Sequence, residues 1–281
     1  MRKLLLGLIG AGIQRSMAPS LHEEEGRHHG LRVHYQLIDL DAAGVGAEVL
    51  PDLMRAARVI GFSGLNITYP CKQSVIPLLD SLSEEARAIG AVNTVVREGE
   101  RLVGHNTDGS GWSWGFRRAL PRADLSRVVL LGAGGAGSAC ADAVLRLGAA
   151  QLVIVDREAP RATALARRLN DHLDGGRASA SIDMAAALEG ATGLIQATPV
   201  GTAAMPGNPL PGEFLRPALW VSEIVYVPLE TTLLEAARRI GCATADGGHM
   251  NVGQAFRGFK LFTGCEPDAA RMDAHFRRLV S

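Results

Sequence analysis

Residues 128–137 read Val-Val-Leu-Leu-Gly-Ala-Gly-Gly-Ala-Gly, an apolar run that meets glycines at the G-x-G-x-x-G spacing, and an alanine-rich stretch follows to about Leu147. Gly132 permits a tight strand-to-helix turn, Gly134 lets a pyrophosphate approach the backbone, and Gly137 allows close helix-to-strand packing. The phosphates then lie at the positive end of the helix. Ala133, Gly135 and Ala136 complete the loop. A second apolar run, Gln151 to Val155, ends in Asp156. That is roughly 20 residues beyond the last glycine, where a carboxylate accepts hydrogen bonds from an adenosine ribose. The pattern serves dinucleotide binding; the plainer alternative is a glycine turn that only packs tightly. A carboxylate there repels a 2′-phosphate, so Asp156 and Glu158 favour NAD. Arg157 and Arg161 leave weaker NADP use open, or simply form a solvated helix start.

Three polar clusters precede this loop: Asn66-Ile67-Thr68-Tyr69-Pro70-Cys71-Lys72, Gly90-Ala91-Val92-Asn93-Thr94 and Gly104-His105-Asn106-Thr107-Asp108-Gly109. Each ends a predicted apolar strand, where α/β folds place ligands. Asn, Thr and Asp at strand ends are also ordinary turn and cap residues. Lys72 and Asp108 are the acid/base candidates, because a lysine desolvated beside a carboxylate exchanges a proton with an alcohol during hydride transfer. His22 and His249 titrate near neutrality, yet His22 falls on a predicted helix and neither is assigned the chemistry. Phe256, Phe259, Leu261 and Phe262 read as helix core.

Alternating elements must position these groups. Strands are expected at Lys3–Ile9, Val33–Leu40, Gly64–Ile67, Ala91–Val96 and Leu102–His105, with helices near 20–30, 47–59, 72–79 and 83–89. A basic, loop-like stretch from Arg117 to Arg127 precedes the strand Val128–Leu131 and suits a domain start. A second α/β series runs to about residue 244, and helices are expected at Val252–Phe262 and Pro267–Leu279. The pattern is that of a mostly parallel sheet flanked by helices.

Bulk composition narrows the partners. The 281 residues are 47% hydrophobic and 21% charged, which excludes disorder and allows one large domain or two ordinary ones. Twenty-nine basic and 29 acidic side chains cancel, so no overall charge recruits nucleic acid or an anionic membrane, and small molecules are the expected partners. Cys71, Cys140, Cys242 and Cys265 lie far apart without zinc spacing; no metal site is expected, and a reduced, cytoplasmic protein fits. Met1-Arg2-Lys3 followed by Leu4–Ile13 resembles a secretory signal only superficially, because Gly7, Gly10 and Gly12 interrupt the apolar run and Arg15 follows it. A buried first strand running into a glycine loop is the expectation.

Taken in order, the clusters resemble the shikimate and quinate dehydrogenases over essentially the whole chain. Gly10 to His22, reading GAGIQRSMAPSLH, is similar to that family's substrate-carboxylate loop; NITYPCK, GAVNTV, HNTDG and GAGGAG follow. Ala197-Thr198-Pro199-Val200-Gly201, Tyr226-Val227-Pro228-Leu229-Glu230-Thr231, and Asp246-Gly247-Gly248-His249-Met250 leading to Gln254 complete the series. The resemblance implies hydride exchange between a nicotinamide and a polyhydroxylated ring acid, with Lys72 and Asp108 as the catalytic pair. It implies Ser16 at the substrate carboxylate, and Thr68, Asn93, Tyr226 and Gln254 around the ring hydroxyls and acid group. Thr198, Pro199, Val200, Ile224 and Gly247 would line the cofactor. The implied fold is α/β with two domains: a substrate domain over 1–108 plus 245–281, completed by C-terminal helices, and a Rossmann-type nucleotide domain over 109–244, with the active site in the cleft between them. Oligomeric state is left open, a homodimer included.

Three positions depart from the family pattern. Ala18 stands where these enzymes carry a second carboxylate-binding hydroxyl, a loss worth about 1.5 to 3 kcal/mol of acid recognition unless Arg15 or water compensates. The smaller side chain also makes room for quinate's extra hydroxyl or for another ring acid. Gln196 replaces an asparagine before the Ala-Thr-Pro turn, and His105 replaces an acidic residue before Asn106; neither removes a catalytic group.

Overall fold

The computed structural model describes residues 1–173 and 175–280. The chain divides into two compact units, Met1–Thr107 with Gln254–Leu279, and Asp108–Gly253.

In the first unit the elements run β1 (Lys3–Gly10), α1 (Ala18–His28), β2 (Arg32–Asp39), α2 (Leu40–Ala43), α3 (Leu50–Ile60), β3 (Gly64–Ile67), β4 (Ser81–Leu82), α4 (Glu84–Ile89), β5 (Thr94–Glu98) and β6 (Arg101–His105). They form a six-stranded sheet in the order β2-β1-β3-β5-β6-β4. β1 is parallel to β2 and β3, whereas β5 is antiparallel to both β3 and β6. That reversal makes the sheet mixed, and it has a geometric consequence. The start of β5 lies beside the ends of β3 and β6, so the loops after β1, β3 and β6 and the turn before β5 meet at one edge.

The second unit holds α5 (Asp108–Ala119), β7 (Val128–Leu131), α6 (Gly135–Arg146), β8 (Leu152–Val155), α7 (Ala159–His172), β9 (Ala178–Ser181), α8 (Met184–Leu188), β10 (Gly193–Gln196), β11 (Trp220–Glu223), α9 (Thr232–Ile240) and β12 (Thr244–Ala245). Its sheet is all parallel, ordered β12-β11-β10-β7-β8-β9, a doubly wound Rossmann-type arrangement whose order reverses beside β7. β7 and β8 read VVLL and LVIV because strands covered by helices on both faces have no polar side to present. α10 (Gly247–Thr263) starts in this unit and ends in the first, where α11 (Ala269–Val280) follows.

Two expected segments differ. Residues 72–79 form turns and a 3₁₀ turn at Ile76–Leu78 in place of a helix. Pro77 explains this, since it has no amide proton to donate and its ring clashes with the carbonyl four residues back, so it is tolerated only in a first turn. The loop expected from Arg117 begins later, because α5 takes Arg117 and Arg118 into its last turn. Three glycines argue against a helix there by propensity. Packing overrides it: Trp112 stacks on Phe116 in the core, and an added Cβ at Gly115 would come 2.7 Å from the His249 backbone on α10.

The first unit is tied together by charge as well as by apolar packing. Glu25 of α1 is 1% exposed and accepts Nε and Nη2 of Arg271 at 2.8 and 2.6 Å and the Asp268 amide at 2.8 Å. His22, one turn earlier, is fully buried against Tyr35, Phe259 and Phe262, and neither ring nitrogen has a hydrogen-bond partner. Burial lowers its pKa to about 4, so the folded ring is neutral. Unfolding therefore takes up a proton in the window between about 4 and the ordinary 6.5, and stability falls as pH falls through it. His22→Leu removes this dependence. The stability of the wild type relative to His22→Leu, measured by urea unfolding, should drop by about 2 kcal/mol from about pH 7.5 to about pH 5. A pH-independent difference would mean that the ring is solvated or paired.

Candidate active site

Backbone packing fixes the first edge. Ala11 donates its amide to Tyr69 O at 2.8 Å, Thr68 donates to Ile9 O at 2.9 Å, and a Cβ at Gly10 would collide with the Thr68 methyl. The loops after β1 and β3 therefore lie against each other, and Gly10 is required for their approach. Asp39, at the end of β2, organises the first of them. Its buried carboxylate accepts from the Gly12 and Ile13 amides at 3.0 and 3.1 Å, from Gln14 Nε2 at 2.9 Å and from Asp41 N at 3.1 Å. Burial alone would raise its pKa; the bonds from Gln14 and the Ala42, Gly12 and Asp41 amides outweigh this and hold it below the usual carboxylate range. Ser16 follows in this loop, half-buried, with Oγ accepting from Ala18 N at 3.3 Å.

Buried amides and hydroxyls form a chain behind the edge. Tyr35 OH donates to Asn66 Oδ1 at 2.7 Å; Asn66 Nδ2 donates to Asn93 O and to Thr94 Oγ1. Thr94 donates to Asn93 Oδ1 at 2.9 Å, which also accepts Thr107 N at 2.8 Å, while Asn93 Nδ2 donates to Thr107 Oγ1 at 3.0 Å. Asn106 closes the turn onto Ala91 O at 2.9 Å. A satisfied buried network of this kind fixes one geometry. It anchors the turn at 91–93 and the chain immediately before Asp108, which is 5% exposed at the start of α5. Lys72 is half-buried, and its carbonyl accepts from Val92 N at 2.8 Å. Gln254, half-buried on α10, is the first residue of the returning segment.

The second sheet gathers its own loops. Gly132 has φ +97°, and a Cβ there would come 2.8 Å from Ala197 O. Gly137 faces the Gly132 carbonyl so closely that any Cβ collides with it, whereas Gly134 opens onto free space. α6 starts with no side-chain cap and no acidic residue in its first turn. These features fit a pyrophosphate, which needs close backbone approach and unpaired amides. Asp156 Oδ2 accepts Ala133 N at 2.7 Å and Oδ1 accepts Glu158 N at 2.8 Å, so it braces the glycine loop. Arg157 is exposed; Arg161 pairs with Glu158 at 2.9 Å.

The remaining loops are shaped by two side chains that face each other in register, Gln196 ending β10 and Glu223 ending β11. Gln196, fully buried, donates to Thr198 O and Val200 O at 3.0 and 2.9 Å and accepts from Thr198 N and Oγ1 at 2.9 and 2.8 Å. It thereby folds the turn through Thr198, Pro199 and Val200. Glu223 folds the turn through Ile224 and Tyr226. Burial raises the Tyr226 phenol above its ordinary range, opposed by a hydrogen bond with Asn251. Gly247 packs on the Ile224 and Val225 carbonyls, 2.6 Å and closer to where a Cβ would stand. Asp39 and Glu223 were not legible as site residues; the only signal was an acidic residue closing an apolar strand.

Residues 8–95 match the model of the shikimate dehydrogenase substrate binding domain. The chain is 56% identical over 278 residues to shikimate dehydrogenase (NADP(+)) of Streptomyces avermitilis, covering 98% of this chain and 96% of that one. It belongs to the shikimate and quinate dehydrogenase family. It is also 45% identical over 280 residues to quinate/shikimate dehydrogenase (NAD(+)) of Corynebacterium efficiens, covering 98% of each. Among solved structures, quinate dehydrogenase from Corynebacterium glutamicum in complex with NAD superposes with a TM-score of 0.92 at 42% identity, covering 99% of this chain and all of that one. Among the described residues of this family member, no group of three or more His, Cys, Asp or Glu is placed to hold a metal, and no helix is long and apolar enough to cross a membrane.

The glycine contacts give a direct test. Gly137→Ala should push α6 away from the Gly132 carbonyl and weaken binding of reduced nicotinamide dinucleotide by at least about tenfold in a fluorescence titration. Unchanged affinity would place the dinucleotide elsewhere.

Proposed function

We propose that the chain is an NAD-preferring dehydrogenase that interconverts a ring hydroxyl and ketone on shikimate, quinate or their 3-dehydro forms. The observation that carries this reading is the meeting of the Ser16, Thr68 and Asn93 segments at one edge of the first sheet, with Lys72 on the same loop as Thr68 and Asp108 following the Asn93–Thr107 bonds. The nicotinamide, when bound, carries the hydride. Lys72 holds or gives up the proton at the reacting oxygen, and Asp108 orients the ammonium and the hydroxyl. Ser16 receives the substrate carboxylate; Thr68, Asn93, Tyr226 and Gln254 distinguish ring hydroxyls by donor and acceptor. Gly132 to Gly137 hold the pyrophosphate, and Thr198, Pro199, Val200, Ile224 and Gly247 line the nicotinamide half. Four free cysteines, three of them buried, suit a reducing, cytoplasmic setting.

The preference for NAD rests on Asp156. Two of its roughly four lone-pair sites serve Ala133 and Glu158, which leaves capacity for a ribose hydroxyl and none of the positive charge a 2′-phosphate needs. Arg161 is engaged by Glu158, leaving Arg157 the nearest exposed cation in sequence. Substrate choice turns on Ala18. It begins α1 and packs on the Leu6, Leu8 and Ile13 cluster, so its methyl is an apolar contact where relatives supply a hydroxyl.

Turnover followed by the absorbance of the reduced cofactor, with NAD and NADP offered separately against shikimate and quinate, tests the reading. Activity with either acid supports it, and the ratio reports what Ala18 selects; silence with both, despite cofactor binding, overturns it. Lys72→Ala should lower turnover by at least about a hundredfold with cofactor affinity nearly unchanged, and near-normal turnover would remove the proton carrier. Asp156→Ala should weaken NAD while sparing or improving NADP, judged by kcat/KM for each. An unchanged ratio would remove the ribose carboxylate from the argument.

A further inference from the structure

Glu223 is a buried carboxylate with no place in the chemistry above. It is 1% exposed at the end of β11, and its two oxygens serve three donors. Oε1 accepts from the amides of Ile224 and Val225 at 2.9 and 3.0 Å, and Oε2 accepts from Thr231 Oγ1 at 3.0 Å. Thr231 is in turn the cap of α9, its oxygen accepting from Leu234 N. One side chain thus ties both ends of the segment 224–231. The Ile224 amide is shared with Gln196 O at 3.1 Å, so the two register partners hold the same peptide from two strands.

We infer that Glu223 is a positioning residue: its ionised carboxylate sets the Ile224–Tyr226 turn and through it the affinity for cofactor and ring acid. The substrate arm of this inference rests on the function proposed above; the cofactor arm does not. An ionised carboxylate matches three donors, because it only accepts. Protonation makes Oε2 a donor to Thr231 Oγ1, whose hydroxyl must then reverse, and the charge-assisted bonds that Oε1 accepts from the Ile224 and Val225 amides become weaker neutral ones, so the turn loosens. Burial pushes the pKa of Glu223 up to about 7, against the bonds from Val225, Thr231 and Ile224, so this change falls within the neutral range. The neighbours add little charge. Its register partner Gln196 is neutral; Asp246, past the end of β12, accepts from Gly248 N at 3.0 Å; Glu230 is exposed and paired with Arg238; Tyr226 keeps its proton.

The test is a titration of reduced dinucleotide by fluorescence from about pH 5.5 to about 8.5 on wild type, Glu223→Gln and Glu223→Ala. The carboxamide of Glu223→Gln still accepts both amides and never titrates. Wild-type affinity should weaken about fivefold below neutrality, while Glu223→Gln, whose carboxamide accepts and donates as the protonated acid does, stays within about threefold of the low-pH wild type throughout. Glu223→Ala should bind weakly at every pH and raise KM for the ring acid about tenfold with kcat changed less than about threefold. A pH curve shared by wild type and Glu223→Gln overturns the inference, as does a variant that alters only the melting temperature. If Glu223→Ala does not fold, the Glu223→Gln comparison decides alone. Failure to turn over either ring acid defeats the proposed function and leaves the dinucleotide arm standing.

Discussion

Loops at the end of a buried sheet have backbone amides that no neighbouring strand satisfies, and a site built from such loops must give those amides partners without filling itself with side chains. Here a residue beside the end of a strand, or just before one begins in the case of Asn93, does this repeatedly. Asp39 gathers the Gly12, Ile13 and Gln14 donors after β1; Asn93 gathers the Thr94 and Thr107 donors; Asp156 braces the glycine loop; Gln196 and Glu223 each fold the turn that follows its own strand. Five of the loops assigned a contact with substrate or cofactor are shaped from behind in this way. The acceptors are withdrawn, and the surface presented forward is left to hydroxyls, amides and glycine backbone.

The same arrangement separates two kinds of buried charge. Asp39 has enough donors to remain an anion despite its burial, whereas Glu223 has three donors and deeper isolation, and its proton affinity rises. His22 has no partner and stays neutral. As pH falls from neutrality, His22 costs stability while Glu223, whose folded pKa lies above its ordinary 4.5, returns some of it. The two act in different units, so their sum hides both in a whole-protein titration.

Much of the fold was legible because two-sided burial leaves no alternative to apolar runs such as VVLL and LVIV, and because a glycine loop between strand and helix has few other uses. What was not legible depended on partners distant in sequence. The helix α5 is poor by propensity and exists because its glycines admit α10; the segment after Lys72 is helical in polarity but carries Pro77. In the candidate site, the polar clusters announced themselves by composition. Asp39 and Glu223 did not, since one acidic residue at the end of a strand is ordinary until the amides it serves are seen. Gln196 registered only as an exchange for a shorter amide, and its four hydrogen bonds give the longer side chain its reason.

The glycine contact between α5 and α10 bears on how such a chain is assembled. A Cβ at Gly253 would collide with the Gly111 carbonyl, and these residues stand within a few positions of the two ends of the 108–253 unit. A segment whose ends meet interrupts its host at the entropic cost of a short loop, however many residues it contains. Residues 1–107 and 254–279 can therefore be regarded as one polypeptide with a domain-sized bulge. A brief linker in place of the bulge would leave the host's own connectivity intact, and the excised piece would be a candidate for circular permutation, its new ends free to be opened at any surface turn.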